Sequence, residues 1–400
     1  MSGSIQRTLL LFDVDGVLVQ PVGYKIALRV TVDRFAAQMG QPLMGLDDDE
    51  IAVFEACGIT NEWDSSAMCV SALLLAALEQ RPDLGRRTLE DTFTAVRAAR
   101  LVLARPDFVR VAREIHHQHT DGHYPAACYL DMLSARANGD HLSLLRALLG
   151  NVYDVLNTPT TRAFQTHTLG SGRFAAAYGQ PAPFESESYL TRYDVPLLSE
   201  TNRERLMDWQ RDPDHGAAVF TARPSLLPAD LTGTPVTVPT GAQAAGYAPE
   251  AELAAELLGW AGKVPLIGQG RVSWLASCHG RGVADYIKPS PVQGLAAIGA
   301  AASGTETDSL NAAAALHEHG DLVGPLAALR DGSTRVIVFE DSTGGIRATR
   351  HAVERLADAG LDVTFEAVGV SPNPDKRAAL DKSAGHVVDD INAGLAIVFK

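Results

Sequence analysis

Cysteine is scarce in this chain: Cys57, Cys69, Cys128 and Cys278 are the four in 400 residues, far apart and without a Cys-x-x-Cys pair. Such spacing suggests neither a disulfide framework nor a zinc site. Positive charge is also short. Lys and Arg number 34 against 48 Asp and Glu, for a formal net charge of −14, and no basic stripe is present. A nucleic-acid partner needs clustered Lys and Arg for its phosphates, so none is expected. No apolar stretch reaches spanning length, although alanine-rich helical segments come close in mean hydropathy, and no membrane partner is expected. The N-terminus runs straight into the first apolar stretch with no room for a signal peptide, so the expected compartment is the cytoplasm. What is present is ordinary for a globular chain, 46% hydrophobic and 20% charged, and long enough for two domains each with its own core.

One stretch organises the rest. Leu9-Leu10-Leu11-Phe12 is an apolar run suited to a strand buried on both faces, and it stops at Asp13-Val14-Asp15-Gly16. Two carboxylates one residue apart, followed by a glycine that permits a sharp turn, place acids at the C-terminal end of a strand. Open α/β sheets build their sites there. Two aspartates are too few for a calcium loop, which needs more oxygens at alternate positions and a closing glutamate. Taken alone, the tetrad is equally a solvated turn.

Downstream the texture changes twice. Helical patterns dominate from Tyr24 to about Gly150, with start signals such as Asp64-Ser65-Ser66 and Thr88-Leu89-Glu90-Asp91, and no convincing strand interrupts them. A helical block this long, inserted after a first strand, reads as a separate domain. Residues 151–197, richer in Gly, Pro, Ser and Thr, are expected to form an irregular return linker with a short strand piece. Beyond it, strands at 217–221, 264–267, 335–340, 363–368 and 384–388 alternate with helices. That alternation predicts a doubly wound parallel α/β sheet to which the first strand belongs.

Three further motifs fall at strand ends or loops of that sheet. Thr221 ends a strand in Val-Phe-Thr-Ala-Arg-Pro. Lys288 lies in Tyr286-Ile287-Lys288-Pro289-Ser290-Pro291, at the mouth of a helix. Glu340-Asp341 closes a strand ahead of Ser342-Thr343-Gly344-Gly345. Singly, each has a plain structural explanation as a turn, a loop lysine or a helix cap. In this order they resemble the four motifs of the haloacid dehalogenase (HAD) superfamily: Asp-x-Asp-Gly, Ser/Thr, Lys, then paired acids. The resemblance covers roughly residues 5–22 and 196–400. It implies a HAD-like Rossmannoid core of residues 1–22 and 196–400, with 23–195 inserted where that superfamily carries its helical C1 cap. The block is longer than a simple four-helix cap, and residues 303–330 look like an extra excursion.

The resemblance also implies roles. Asp13 would be the nucleophile and form an aspartyl-phosphate, and Asp15 would protonate the leaving oxygen and then activate water. Thr221 and Lys288 would hold the phosphoryl oxygens, with Lys288 also keeping Asp13 ionised. Magnesium would sit among Asp13, the Asp15 carbonyl, Glu340 and Asp341. An acid at position 15 favours phosphate esters over carbon–halogen bonds, whose leaving groups need no such proton. The expected activity is a magnesium-dependent phosphatase acting on a small-molecule phosphate monoester. The alternatives are a phosphomutase with the same residues and, in a different class, a non-catalytic binding or regulatory protein of this fold.

Other features carry less. Arg162, His167 and Arg173, in the expected return linker among hydroxyls and glycines, are candidates for substrate contact. The segment from Glu114 to His123 packs four histidines and two acids, but Asp121-Gly122 breaks the helix that would align His119 with His123, and a solvated helix end is favoured over a metal site. Gly268-Gln269-Gly270-Arg271 lacks the strand–GxGxxG–helix context of a dinucleotide site.

Overall fold

The computed structural model describes residues 6–118, 124–135, 139–233 and 246–399. These divide into two compact units, one running to Pro21 and resuming at Asp194, the other formed by Val22–Tyr193.

The first unit is built on Leu9–Phe12, which lie in strand β1 (Gln6–Phe12) and are buried. Alternate side chains leave it in opposite directions. Leu9 and Leu11 join one apolar layer with helices Pro291–Ser303 and Thr343–Asp358, and Leu10 and Phe12 join the other with Trp260 and Leu395. Burial on both faces is what turns a continuous apolar run into a central strand. The remaining strands of the sheet are β4 (His215–Phe220), β5 (Leu266–Ile267), β6 (Ser333–Glu340), β7 (Asp362–Val370) and β8 (His386–Val388), after a small pair, β2 (Val19–Gln20) and β3 (Val195–Pro196). The order is β5-β4-β1-β6-β7-β8, every neighbouring pair parallel. This is the expected doubly wound α/β sheet.

Register brings the motifs level. Phe12 pairs with Val219 of β4 and with Phe339 of β6, and the rings of Phe12 and Phe339 stack at 4.9 Å. Asp13, Thr221 and Asp341 are each the next residue after a strand, and Glu340 is the last of β6. All four therefore emerge at the C-terminal edge. Antiparallel β2 and β3 lie where the chain leaves and re-enters this unit. The expected excursion at 303–330 contains a helix, Thr307–His319, whose Leu310 and Leu316 join the core.

The second unit is helical. Its longest elements are Val22–Gln38 and Glu62–Gln80, and the latter is buried over most of its length. One expectation is corrected here. Residues 151–197 are not an irregular linker: they contain helices Pro159–Leu169, Ser171–Tyr178 and Tyr189–Tyr193 before the short strand β3. Threonine-rich composition lowers helix propensity, but tertiary burial overrides it. Every residue of Pro159–Leu169 other than Pro159 and Arg162 is buried. The hydroxyls of Thr166 and Thr168 donate back to the carbonyls of Arg162 and Phe164, at 2.8 and 2.9 Å, which pairs them inside the helix. Among the described residues no helix is long and apolar enough to cross a membrane, and the four cysteines are free thiols.

Candidate active site

Asp13 leaves β1 with its N–H bonded to the Phe339 carbonyl, 3.0 Å away, so it lies against the end of β6. The chain then folds on itself. The Val14 carbonyl accepts from the N–H groups of Leu18 and Val19, and Gly16 donates to Val19, each at 2.9 Å. Gly16 sits at φ +73°, and a Cβ there would stand 2.7 Å from Oδ2 of Asp341. The turn and the β6 acid press against each other across a glycine that nothing larger could replace without displacement.

Lys288 is the cation at the centre. Its Nζ lies 2.9 Å from Oδ1 of Asp13 and 2.7 Å from Oε1 of Glu340, and 4.8 Å above the Phe220 ring. Gln293, wholly buried in the first turn of helix Pro291–Ser303, fixes the lysine's loop. Its Oε1 accepts from the Lys288 N–H at 3.0 Å, and its Nε2 donates to the carbonyls of Thr221 and Ile267, 2.9 Å each. One amide thus ties the lysine loop to the ends of β4 and β5.

Glu340 is fully buried and uses both oxygens: Oε1 for Lys288, Oε2 for the N–H and hydroxyl of Ser342 at 2.9 and 2.8 Å. It folds back over the helix start because residue 345 is glycine, where a Cβ would overlap Oε1 at 1.5 Å. Asp341 meets Lys376, whose Nζ is 2.7 Å from Oδ2. Thr221, buried, accepts the Arg223 N–H on its hydroxyl at 3.1 Å. Asp15 is held by the Arg223 guanidinium, with Nε 3.0 Å from each carboxylate oxygen and Nη2 2.6 Å from Oδ1.

Ligand oxygens of Asp13, Glu340 and Asp341 lie within 4.8 Å of one another. Three carboxylates so close frustrate one another. Burial, then Glu340, push Asp13 up to about 8 despite the pull of Lys288 in the other direction. Burial likewise raises Asp341, with Glu340 adding to it and Lys376 opposing. Burial alone would lower Lys288, but Asp13 and Glu340 outweigh it and hold its ammonium above the ordinary lysine value. Hard carboxylate oxygens in excess of buried positive charge suit a hard divalent cation.

No family model matches the chain, and no curated protein matches it. Among solved structures, it aligns over 98% of its length and 98% of the other chain with the X-ray structure of a structural-genomics target, at TM-score 0.63 and 13% identity. Phosphatase Tt82 from Thermococcus thioreducens aligns over 93% of this chain and 99% of its own, at TM-score 0.43 and 14% identity. YfnB from Bacillus subtilis, assigned as a HAD-hydrolase and bound to magnesium, aligns over 99% and 100%, at TM-score 0.34 and 10% identity. At TM-score 0.63 the first of these likenesses is one of fold.

Within the sheet unit, ion pairs and carboxylate proximity join Asp13, Lys288, Glu340 and Asp341 directly. Thr221 is linked to them through Gln293, and Asp15 through its place in the loop. Arg162, His167 and Arg173 lie in the second unit. Arg162 donates to the Pro181 carbonyl at 3.0 Å, and Arg173 is exposed on the helix Ser171–Tyr178. His167 is buried between the rings of Phe184 and Tyr189, with Nδ1 3.3 Å from the Ser186 hydroxyl. Of the histidine-rich segment, His119 and His123 lie outside the described residues, while Nδ1 of His116 is 3.2 Å from the Cys57 carbonyl. Gly268-Gln269-Gly270-Arg271 follows the expected strand and opens the helix Gln269–Cys278, but Ser273 stands where the dinucleotide pattern has its third glycine. Its glycine serves packing: a Cβ at Gly270 would stand 1.8 Å from the Ser225 carbonyl oxygen, and Arg271 is ion-paired with Glu252 and Glu306.

Three participants escaped the sequence reading. Gln293 sits two residues past the proline that opens its helix, where only the fold shows that its amide faces the strand ends. Arg223 stands two residues beyond Thr221 and was legible as part of that motif. Lys376 comes from β7's following helix, Pro374–Leu380, and no local signal marks it.

Proposed function

We propose that this chain is a magnesium-dependent phosphatase that hydrolyses small-molecule phosphate monoesters through an aspartyl-phosphate on Asp13. The observation that carries this reading is the meeting of Asp13 with Lys288 and with the Asp341 carboxylate at one strand edge. In the first step an Asp13 oxygen bonds to phosphorus as the bond to the leaving oxygen breaks, and Asp15 gives that oxygen its proton. In the second, water attacks phosphorus, Asp15 takes the water's proton, and the bond to Asp13 breaks to release inorganic phosphate. Lys288 and the Thr221 hydroxyl hold the equatorial oxygens, whose charge is spread widely in the transition state. Glu340, committed to Lys288 and Ser342, orients the lysine. Asp13, Asp341 and the Asp15 carbonyl would hold the magnesium, which supplies charge neutralisation for a dianionic ester approaching an anionic nucleophile.

The test is phosphate release from 4-nitrophenyl phosphate, with magnesium or with excess chelator. Release that needs magnesium and falls by at least about 1,000-fold in Asp13→Asn, with the melting profile retained, is expected. Full activity in chelator, or an active Asp13→Asn, overturns the mechanism. A chain inert toward every phosphate ester in a metabolite screen overturns the phosphatase reading itself.

A further inference from the structure

The proposed chemistry asks Asp15 to exchange a proton twice per cycle, yet its side chain stands at a loop, more than a third exposed. A carboxylate in that setting has several rotamers open to it and no reason to keep one. Arg223 supplies the reason. The guanidinium is 2% exposed and reaches Asp15 as a fork, with Nη2 and Nε both on Oδ1 and Nε shared with Oδ2. The fork fixes the plane of the carboxylate as well as its position. It also makes the two oxygens unequal. Oδ1 takes the short 2.6 Å bond and a second N–H, whereas Oδ2 has only the shared bond at 3.0 Å, so Oδ2 is the oxygen left with capacity to pass a proton.

Arg223 is itself anchored from behind. Its Nη2 is 3.1 Å from Oδ2 of Asp194, whose side chain is also 2% exposed. Asp194 is the residue at which the chain re-enters the first unit, directly ahead of β3. Its backbone is therefore set by the β2–β3 pairing, and β2 begins four residues after Asp15. At its other end Arg223 is located by its own N–H on the Thr221 hydroxyl. A buried Arg between two acids contributes little net stability, since desolvation offsets the attraction, so stability alone does not account for it.

We infer that Arg223 is a positioning residue for the proposed general acid–base Asp15, presenting its Oδ2 to the leaving oxygen and then to water, with Asp194 as the anchor of the guanidinium. The inference rests on the phosphatase reading and adds to it a residue that acts through the Asp15 side chain.

Leaving-group dependence tests it. 4-Nitrophenolate departs without a proton, whereas an alkoxide needs one, and kcat/KM reports the steps through phosphoryl transfer to Asp13. Arg223→Lys keeps the charge and loses the fork. It is expected to lower kcat/KM for butyl phosphate about 30-fold more than for 4-nitrophenyl phosphate, while kcat falls for both because the common dephosphorylation step also uses Asp15. In an Asp15→Asn background the same substitution should change kcat/KM for butyl phosphate by less than about twofold, since the group it positions is gone. Should Arg223→Lys fail to fold, Asp194→Asn loosens the anchor with the fork intact and should show the same preference at about 3- to 10-fold. Equal losses on both esters, or effects of Asp15 and Arg223 that multiply fully, overturn the inference and leave the phosphatase reading standing. A wild-type chain inactive on both esters overturns the two together.

Discussion

At Gly16 the backbone takes φ +73°, a region that costs an L-residue about 1–2 kcal/mol, and the missing Cβ is what lets Asp341 approach the loop. Two separate penalties therefore fall on any side chain here. Gly16→Ala should lower the melting temperature by an amount matching that strain, and it should also push the Asp341 carboxylate away from Asp13. The second effect distinguishes a site glycine from a turn glycine. The magnesium concentration giving half-maximal stabilisation should rise about tenfold or more, whereas Gly58→Ala, at a φ of +82° with open space around its Cβ, should lose stability and keep its metal midpoint. Thermal melts across a magnesium titration measure both. An unchanged midpoint in Gly16→Ala would mean that the Asp341 contact has no part in holding the cation.

At the scale of elements, helix Pro291–Ser303 joins the lysine loop to the sheet through the side chain of Gln293. Replacing that amide with a shape-similar apolar group leaves the Thr221 carbonyl without its donor and the Lys288 N–H without its acceptor, at about 1–3 kcal/mol each, while the Ile267 carbonyl keeps the Thr221 N–H at 3.1 Å. Gln293→Leu should thus destabilise by about 2–6 kcal/mol in denaturant titrations and lower kcat along with it, because Lys288 loses its backbone tether. Loss of stability without loss of kcat would assign Gln293 to the fold alone. The helix Pro159–Leu169 makes a different prediction. Burial, with Arg34 adding to it, pushes His167 down to about 4. Between pH 4 and 6.5 the unfolded chain binds a proton that the folded chain refuses, so this stabilising contribution is complete above 6.5 and declines as pH falls toward 4. His167→Phe should flatten that acid limb in a plot of melting temperature against pH.

These two helices also show what the sequence could and could not reveal. The sheet was legible because Leu9–Phe12 and Val336–Phe339 are apolar runs ending at acids, and strand ends of a parallel sheet share one edge by topology. Asp13, Thr221 and Glu340-Asp341 needed only that topology to be placed, whereas Lys288 lies in a loop ahead of a helix and is held at the edge by Gln293. Gln293 was invisible because its role depends on the direction of one amide across three chain segments. At Pro159–Leu169 threonine signals a loop locally, while the burial that makes it a helix comes from contacts distant in sequence.

For the molecule as a whole, the excess of 48 acids over 34 Lys and Arg is most costly where acids are buried together, and two of the chain's six lysines lie in that cluster. Asp13, ordinarily ionised above pH 4, is pushed up to about 8 in the folded chain. Between those values the folded state holds a proton that the unfolded state has released, so stability of the metal-free protein falls as pH rises through this window. A divalent cation reverses the balance, since its ligands bind as carboxylates and the proton must leave. The rise in melting temperature on adding magnesium should therefore be small at pH 5 and grow to several degrees at pH 8. Sodium chloride at matched ionic strength separates this from general screening of a net charge of −14, which acts on exposed charges at every pH. Asp13→Asn removes its share of this titration and should weaken the pH dependence of the magnesium effect, leaving the part that Asp341 contributes. A wild-type magnesium effect of the same size at pH 5 and pH 8 would show that the cation binds without displacing the Asp13 proton, and the assignment of Asp13 as its ligand would fall.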